Sequence, residues 1–446
     1  MKASVFGLGV EGKKALKSLY EHGWSVYATD SSLELNLLDL GIVDLDLTRE
    51  IDSESDKDII SIKTNRIIID LGFNDFDKLL DCDGILISPG LWNNPVSDCL
   101  KSSGKLISDV LLKHKSIFTI GVTGTNGKTT TVTMLKEILE SAGKKVLVGG
   151  NAGGGFSGYL DLILKAEEHD TGFYDYMIVE VCDMTIDFCN YFFDIDLMAL
   201  TNIGHDHMDV HGSIDNYKQA IKRIFKNKLV AINDEDKFYN EIVEDNGLKN
   251  ANIKKFIKLI KYTHNNFNLK SFGKFNLLNA NLAYSIADYL GIDKVIIKKT
   301  LENFTVPEGR LKVYDLNNSK IFIGKTDNSH SAKAILEEIY ECFNKIDIVF
   351  IGTSRENETH RLDILNEVVK FNPSKIIVFK GLSDNFTSAI NRIRELNYSG
   401  ELITIKNNNN ILNSILDLSN KYSTIFIGGN GQDTIKTIQQ SIEDLK

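Results

Sequence analysis

The stretch GVTGTNGKTTTVTMLKEIL, Gly121 to Leu139, follows directly on the apolar run IFTIGV and opens into a segment with helical spacing of apolar residues. Strand, glycine-rich turn and helix in that order make a P-loop. Gly121, Gly124 and Gly127 let backbone N–H groups turn toward one point, and the start of the helix adds its positive end, so the turn is an anion cradle. Gly124, Thr125, Asn126 and Gly127 are its candidate walls; Lys128 is spaced to reach β- and γ-phosphates, and Thr129 or Thr130 to ligate Mg²⁺. Val122 stands where G-x-x-x-x-G-K-[ST] has its first glycine, a departure that leaves the strand-turn-helix context intact.

Outward from this turn, short apolar runs bounded by Gly, Asp or Asn alternate with amphipathic segments over all 446 residues, the pattern of α/β units on mostly parallel sheets. A chain of this length with 42% hydrophobic residues builds more than one core. Residues 1–113 hold the strand candidates KASVFGL, WSVYATD, RIIIDLG and GILISPG, with the helical VEGKKALKSLYEHG between the first two. Residues 114–304 hold SIFTIGVTG, KKVLVGG, YMIVEV, DLMALTNI and KLVAINDED, and the helix NLLNANLAYSIADYLG. Pro307 and Gly309 then break the periodicity, and residues 305–446 hold KIFIGK, DIVFIGT, KIIVFKG, ELITIK and STIFIGG. Three α/β domains are expected: a Rossmann-like first, a central P-loop domain and a Rossmann-like third. No internal repeat interrupts this division.

The 51 Lys+Arg against 61 Asp+Glu, a net charge of -10, argue against nucleic acid or anionic lipid as a dominant partner. Five cysteines without a short C-x-x-C spacing suggest neither a disulfide framework nor a zinc knuckle, which suits a reducing compartment. No run approaches the roughly 18 to 20 apolar residues of a membrane span, and MKASVFGLGV leads into a glycine turn instead of a signal sequence. A cytoplasmic, monomeric protein is expected.

A second glycine turn, Gly7-Leu8-Gly9-Val10-Glu11-Gly12, follows KASVF, with Asp30 ending the next strand about 20 residues on, where a dinucleotide fold places its ribose-binding acid. A nicotinamide dinucleotide, another uridylyl or adenylyl ligand, and a tight turn with no ligand all remain open on these residues. A third cluster, TNIGHDHMDVHG (Thr201–Gly212), carries His205, His207 and His211 with Asp206 and Asp209, a set capable of ligating Mg²⁺ or Zn²⁺. Of these, His207 is the favoured ligand, to be completed by Glu180 at the end of YMIVEV; His205 reads as a surface residue. Lys222 and Arg223 in NYKQAIKRIF read on their own as a solvated helical face, and Cys182 and Cys189 as small buried hydrophobes.

Taken in order, TGTNGKTT, GGNAG (Gly149–Gly153), VEV with Glu180, NIGHDHMDVHGS, YKQAIKRIF and GKFNLLNANLAY (Gly273–Tyr284), then Gly309-Arg310, resemble the Mur ligase superfamily over nearly the whole chain. These are ATP-dependent amide ligases that extend UDP-linked cell-wall peptides. The first domain, with GLGVEG, Asp30 and Ser88-Pro89-Gly90, is similar to the uridine-nucleotide domain of the D-glutamate-adding branch. The resemblance implies that Gly9, Val10, Glu11, Gly12 and Asp30 hold the uridine diphosphate and that Asn151 lies near the acceptor. It places Lys128 and Thr129 at the ATP phosphates and their Mg²⁺, Glu180 and His207 as magnesium ligands, and Asn276 against adenine. Asp327 is aligned with the ribose contact, and Arg310 with a residue reaching the γ-phosphate across the domain boundary. Lys222 falls where the family has a carbamylated lysine that helps to hold a second Mg²⁺, which replaces the solvated-face reading. The implied partners are a UDP-linked peptide or amino-acid acceptor and a free amino acid, with ATP and two Mg²⁺.

Three positions depart from the family pattern: Phe275 stands for the His before the adenine Asn, Lys325–His330 for a D-S-K-A-T-N segment, and Cys182, Asp183 and Met184 for the two serines and Phe after the Glu. The archaeal pseudomurein peptide ligases are a closer expectation on that account. Rival readings are a folylpolyglutamate- or cyanophycin-type ligase, an NAD-dependent oxidoreductase built on GLGVEG, and a non-catalytic ATP-binding regulator.

Overall fold

In the computed structural model, described for all residues except 36–39, 41, 43–47, 53–58, 205–210, 246–256, 357 and 446, the apolar runs assemble into three α/β layers, each around a six-stranded sheet. The first sheet takes β1 (Lys2–Phe6), β2 (Ser25–Asp30), β3 (Thr48–Asp52), β4 (Ile59–Lys63), β5 (Ile67–Leu71) and β6 (Gly84–Ile87) in the order β3-β4-β5-β2-β1-β6. The second takes β7 (Phe118–Thr123), β8 (Val146–Gly150), β9 (Tyr176–Glu180), β10 (Ile195–Leu200), β11 (Lys228–Ile232) and β12 (Ile257–Ile260) in the order β12-β11-β10-β7-β9-β8, parallel throughout. The third takes β13 (Lys312–Leu316), β14 (Ser319–Ile323), β15 (Ile348–Gly352), β16 (Lys375–Phe379), β17 (Glu401–Ile405) and β18 (Thr424–Gly429) in the order β13-β14-β18-β15-β16-β17.

The first and third sheets are not wholly parallel. β3 pairs antiparallel with β4, β4 with β5, and β13 with β14. The sequence reading has no strand at Thr48–Asp52, because TREID lacks the apolar run that marks a strand covered on both faces. The fully buried strands β15 and β18, by contrast, are apolar but for Thr424 at the start of β18.

The three layers are joined unequally. One apolar cluster runs from the first sheet into one face of the second, through residues such as Leu86, Trp92, Tyr159, Phe188 and Phe192. Trp92 meets Phe188 edge-on at 5.5 Å and 89° and Phe192 at 5.6 Å, while Asn93 donates to Asp187 at 3.2 Å. The third sheet has its own apolar clusters on its two faces, and from the central layer Phe272 and Phe275 pack against one of them. Its other joints to the centre are polar, Lys274 with Glu338 and Glu341 at the surface and the contacts of the cleft described next. No helix among the described residues is long and apolar enough to cross a membrane.

Candidate active site

Strand register brings the site together. Glu180 ends β9 opposite Val122 on one side and Gly150 on the other, so the P-loop and the glycine-rich segment after β8 emerge on either side of its carboxylate. In an open parallel sheet the carboxyl ends of the strands are where ligands bind. Glu180 is 1% exposed, a burial that a charge tolerates only with partners. Thr129 Oγ1 donates to its Oε2 at 2.6 Å and Asn151 Nδ2 to its Oε1 at 3.3 Å.

The P-loop itself is built as its glycines require. Gly127 caps the helix Lys128–Ser141 at φ 87°, and a Cβ there would lie 2.3 Å from Asn279 Oδ1. Asn202 secures the turn from β10, its side chain accepting from Asn126 N at 3.1 Å and donating to Asn126 O at 2.8 Å. The Lys128 ammonium donates to Gly124 O at 2.6 Å and Thr125 O at 2.9 Å, lying over the loop it belongs to.

The third layer closes the cleft. Arg310 donates to Thr129 Oγ1 at 2.6 Å and to Gly154 O at 3.4 Å. Asn328, the N-cap of the helix Ser329–Phe343, exchanges side-chain amide hydrogen bonds with Asn126 at 3.1 and 3.2 Å, and His330 Nδ1 lies 3.1 Å from Asn126 Nδ2. The resulting cavity, about 290 Å³, has Lys128, Arg310, Lys325 and Arg361 in its wall against the carboxylates of Glu180 and Asp327. Four cations facing two carboxylates favour an anionic ligand. Burial alone would raise the Asp327 carboxyl, but Lys325 at 2.8 Å and Arg361 at 3.2 Å overcome it and hold the group well below the usual carboxylate range.

Of the residues singled out in the sequence, Thr125, Asn126, Gly127, Lys128, Thr129, Thr130, Asn151, Glu180, Asn276, Arg310 and Asp327 share this one cavity, and Gly124 opens the loop that forms its floor. Asn276 is buried and donates to Phe272 O at 2.7 Å, beside Phe275 in the same wall. His207 lies outside the described residues. Lys222 is half-buried in the last turn of the helix Ile214–Phe225, which Ser213 caps by accepting from Asn216 N; its neighbour Arg223 is exposed and faces Asp187.

The first-layer residues are separate from this cavity. Gly9 caps the helix Val10–Glu21 and Val10 is exposed, while Gly12 is buried so close to Gly7 O that a Cβ has no room. Both oxygens of Asp30 accept backbone amides, Leu8 N at 2.6 Å and Ser32 N at 2.9 Å, so the acid braces its own glycine turn. Glu11 points away from that turn, into the central layer: Ala152 N donates to its Oε1 at 2.6 Å and Tyr159 N to its Oε2 at 3.4 Å. Burial pushes its carboxyl up to about 7, the two amides opposing the rise.

Three other residues of the site are given no role by the sequence, although two of them, Lys325 and His330, bound the segment that departs from the family pattern. Lys325 follows β14, His330 lies in the first turn of the helix Ser329–Phe343 and Arg361 in the short helical turn Thr359–Asp363, and no spacing relates them to the P-loop. His211, which the sequence leaves between surface and ligand roles, is neither exposed nor alone: Nε2 lies 2.8 Å from the buried Asp183 Oδ2, and the ring stacks on Tyr217. Cys182 and Cys189 are buried, as expected.

Among the described residues no three His, Cys, Asp or Glu converge. Thr129 and Glu180 are nevertheless two hard oxygen donors at a phosphate cradle, which suits Mg²⁺, a cation that keeps several waters and phosphate oxygens. Gly154 lies over this pair so closely that a Cβ would stand 2.1 Å from Glu180 Oε1. The displaced group would be a side-chain end and not backbone, so Gly154→Ala is expected to fold while losing on the order of a hundredfold in turnover, a loss typical of misplacing a reacting group by about 1 Å. Thermal melting alongside a rate measurement checks both halves.

A P-loop α/β domain set between two further α/β layers defines the class of protein. Residues 122–287 match the Mur ligase middle domain, and over that segment the chain is similar to the Mur ligases. It is 29% identical over 285 residues to the UDP-N-acetylmuramoylalanine--D-glutamate ligase of Francisella tularensis subsp. novicida, a match covering 60% of this chain and 64% of that one. It is 24% identical over 400 residues to the UDP-N-acetylmuramoyl-L-alanyl-D-glutamate--2,6-diaminopimelate ligase of Caldanaerobacter subterraneus, covering 79% and 81%. The chain thus spans just under two thirds of the length of the first relative. In fold it is similar to a pseudomurein peptide ligase type C from Methanothermus fervidus, with a TM-score of 0.57 at 20% identity over the whole of both chains.

Proposed function

We propose that this protein is an ATP-dependent ligase that joins an amino acid to a UDP-linked cell-wall peptide precursor. The observation that carries the reading is the convergence of Thr129, Glu180 and Arg310, from the P-loop, β9 and the third layer, on one cation-walled cleft. Joining a carboxylate to an amine in water is uphill, so the carboxylate must first become an electrophile. Transfer of the γ-phosphoryl group of ATP to it breaks the phosphoanhydride bond and forms an acyl phosphate. The incoming amine attacks the acyl carbon, a proton leaves the nitrogen, and phosphate departs.

Such transfer asks for positioning and charge neutralisation more than for covalent chemistry by the protein. Lys128 and Arg310 are placed to neutralise charge on the transferred group, and Asn126, through Asn328, ties the third layer to the phosphate cradle. Thr129, Glu180, His207 and carbamylated Lys222 would hold Mg²⁺, which when bound offsets phosphate charge. Phe275 and Asn276 supply an apolar face and an amide for the adenine. Because the third layer shares only Phe272 and Phe275 of its apolar packing with the centre and otherwise meets it through polar contacts, its closure is suited to completing the site and excluding water. The first layer, by contrast, shares an apolar cluster with the centre and forms a fixed seat for the acceptor.

The deciding experiment is phosphate release with ATP, Mg²⁺ and UDP-peptide acceptors, screened over twenty amino acids and their D-forms. Release that depends on one amino acid supports the ligase; ATP binding without any such release would leave the regulator reading. A structure with nucleotide and Mg²⁺ is expected to show Glu180 and His207 within direct or single-water reach of the same ion. Either residue farther away would break the proposed pairing.

A further inference from the structure

The segment Gly150–Gly158 is a junction of all three layers. Its ends are joined by a bridge between Gly150 and Gly158. Inside it, Asn151 N donates to Glu180 O at 3.1 Å and Asn151 Nδ2 to Glu180 Oε1, and the short turn Ala152–Gly154 lays Gly154 over the same carboxylate. From the third layer, Arg310 reaches Gly154 O and Gln432 faces Gly155. From the first layer comes Glu11, whose two oxygens take Ala152 N, the start of that turn, and Tyr159 N, the start of the following helix Tyr159–Glu167.

We infer that Glu11 is a positioning residue for the ligase reaction, not a ligand of the acceptor's diphosphate: by clamping both ends of the Gly150–Gly158 segment it sets Asn151 and Gly154 against Glu180. The clamp belongs to the first layer, so the docking of that layer is transmitted to the Thr129–Glu180–Arg310 constellation through one carboxylate. Geometry favours this over diphosphate binding. The carboxylate is already committed to two amides, and an additional anion beside it would be repelled. A glycine-rich segment is otherwise free to take many conformations, which explains why a clamp is needed at its ends.

The inference rests on the ligase reading, and its test separates the two. Glu11→Gln keeps the shape but replaces one acceptor oxygen with a donor, and Glu11→Ala removes the clamp. Turnover of Glu11→Gln is expected to fall about 10- to 100-fold, with KM for ATP and for the UDP-acceptor each within about threefold of wild type, the signature of lost positioning. In parallel, hydrogen exchange on the full-length chain is expected to be faster at the Ala152 and Tyr159 amides of Glu11→Ala, with the melting temperature little changed. Wild-type turnover in Glu11→Gln, or a loss confined to KM for the UDP-acceptor, would overturn the inference. So would unchanged exchange at both amides. Should wild type itself release no phosphate with any amino acid, the ligase reading falls, and the exchange comparison still decides whether the clamp exists.

Discussion

Lys222→Arg is expected to be nearly inactive although it conserves charge, and Lys222→Ala to be partly rescued by a small carboxylic acid. On the proposed mechanism Lys222 would serve, as a carbamate, as one of the Mg²⁺ ligands. As a carbamate, formed by its nitrogen bonding the carbon of CO₂ and losing a proton, the side chain would be an anionic oxygen ligand, with the sign of its charge reversed. A guanidinium stays cationic and places a positive charge where a negative one is required. The position suits such a switch: Lys222 is half-buried, and its helix packs against Asp183–Thr185 and Ile186–Phe192, just past Glu180 in the chain. The loss is expected to reach at least about 10²-fold, the scale of removing a preorganised charge. Rescue distinguishes a ligand from a salt bridge, because an added acid supplies an oxygen anion and cannot replace a cation. Equal turnover of Lys222→Arg and wild type would return the residue to an ordinary helical face.

The second large effect is expected at the phosphate cradle. Lys128→Ala removes the ammonium that now bonds to Gly124 O and Thr125 O and that is proposed to turn to the transferred phosphoryl group. Loss of turnover of about 10²- to 10³-fold follows from deleting one preorganised charge at the transition state. A smaller part of the effect comes from loosening the loop. Arg310 is the internal comparison, since it approaches the loop from the third layer and donates to Thr129 Oγ1. Near wild-type phosphate release by Lys128→Ala, measured at saturating ATP, would contradict the assignment of this loop to catalysis.

How much of this was legible depended on how local the determining physics is. The P-loop is contained in one strand, one turn and one helix, so Gly124, Gly127, Lys128 and Thr129 could be read from their spacing alone. Glu180 was legible as a strand-end carboxylate, but its pairing with Thr129 requires β9 to lie beside β7. The GLGVEG turn shows the opposite case. Its pattern is local and correct as a strand-to-helix turn, yet the pattern cannot say where Glu11 points; that is decided by the central layer, which presents two amides to it. Asp30 likewise ends the second strand where the spacing puts it, while its hydrogen bonds go to Leu8 and Ser32.

By itself the sequence determined the three α/β layers and the strand, glycine turn and helix of Gly121–Leu139, because apolar period, glycine spacing and helix starts are set by neighbours in the chain. Only the tertiary structure decided that Asn328 and His330 face the P-loop, that Lys325 and Arg361 hold Asp327 in the same cleft, and that His211 is paired with Asp183. These contacts join residues up to 204 positions apart. Their existence depends on sheet order and on how the layers dock, and burial makes the polar groups find partners there, which no spacing along the chain encodes.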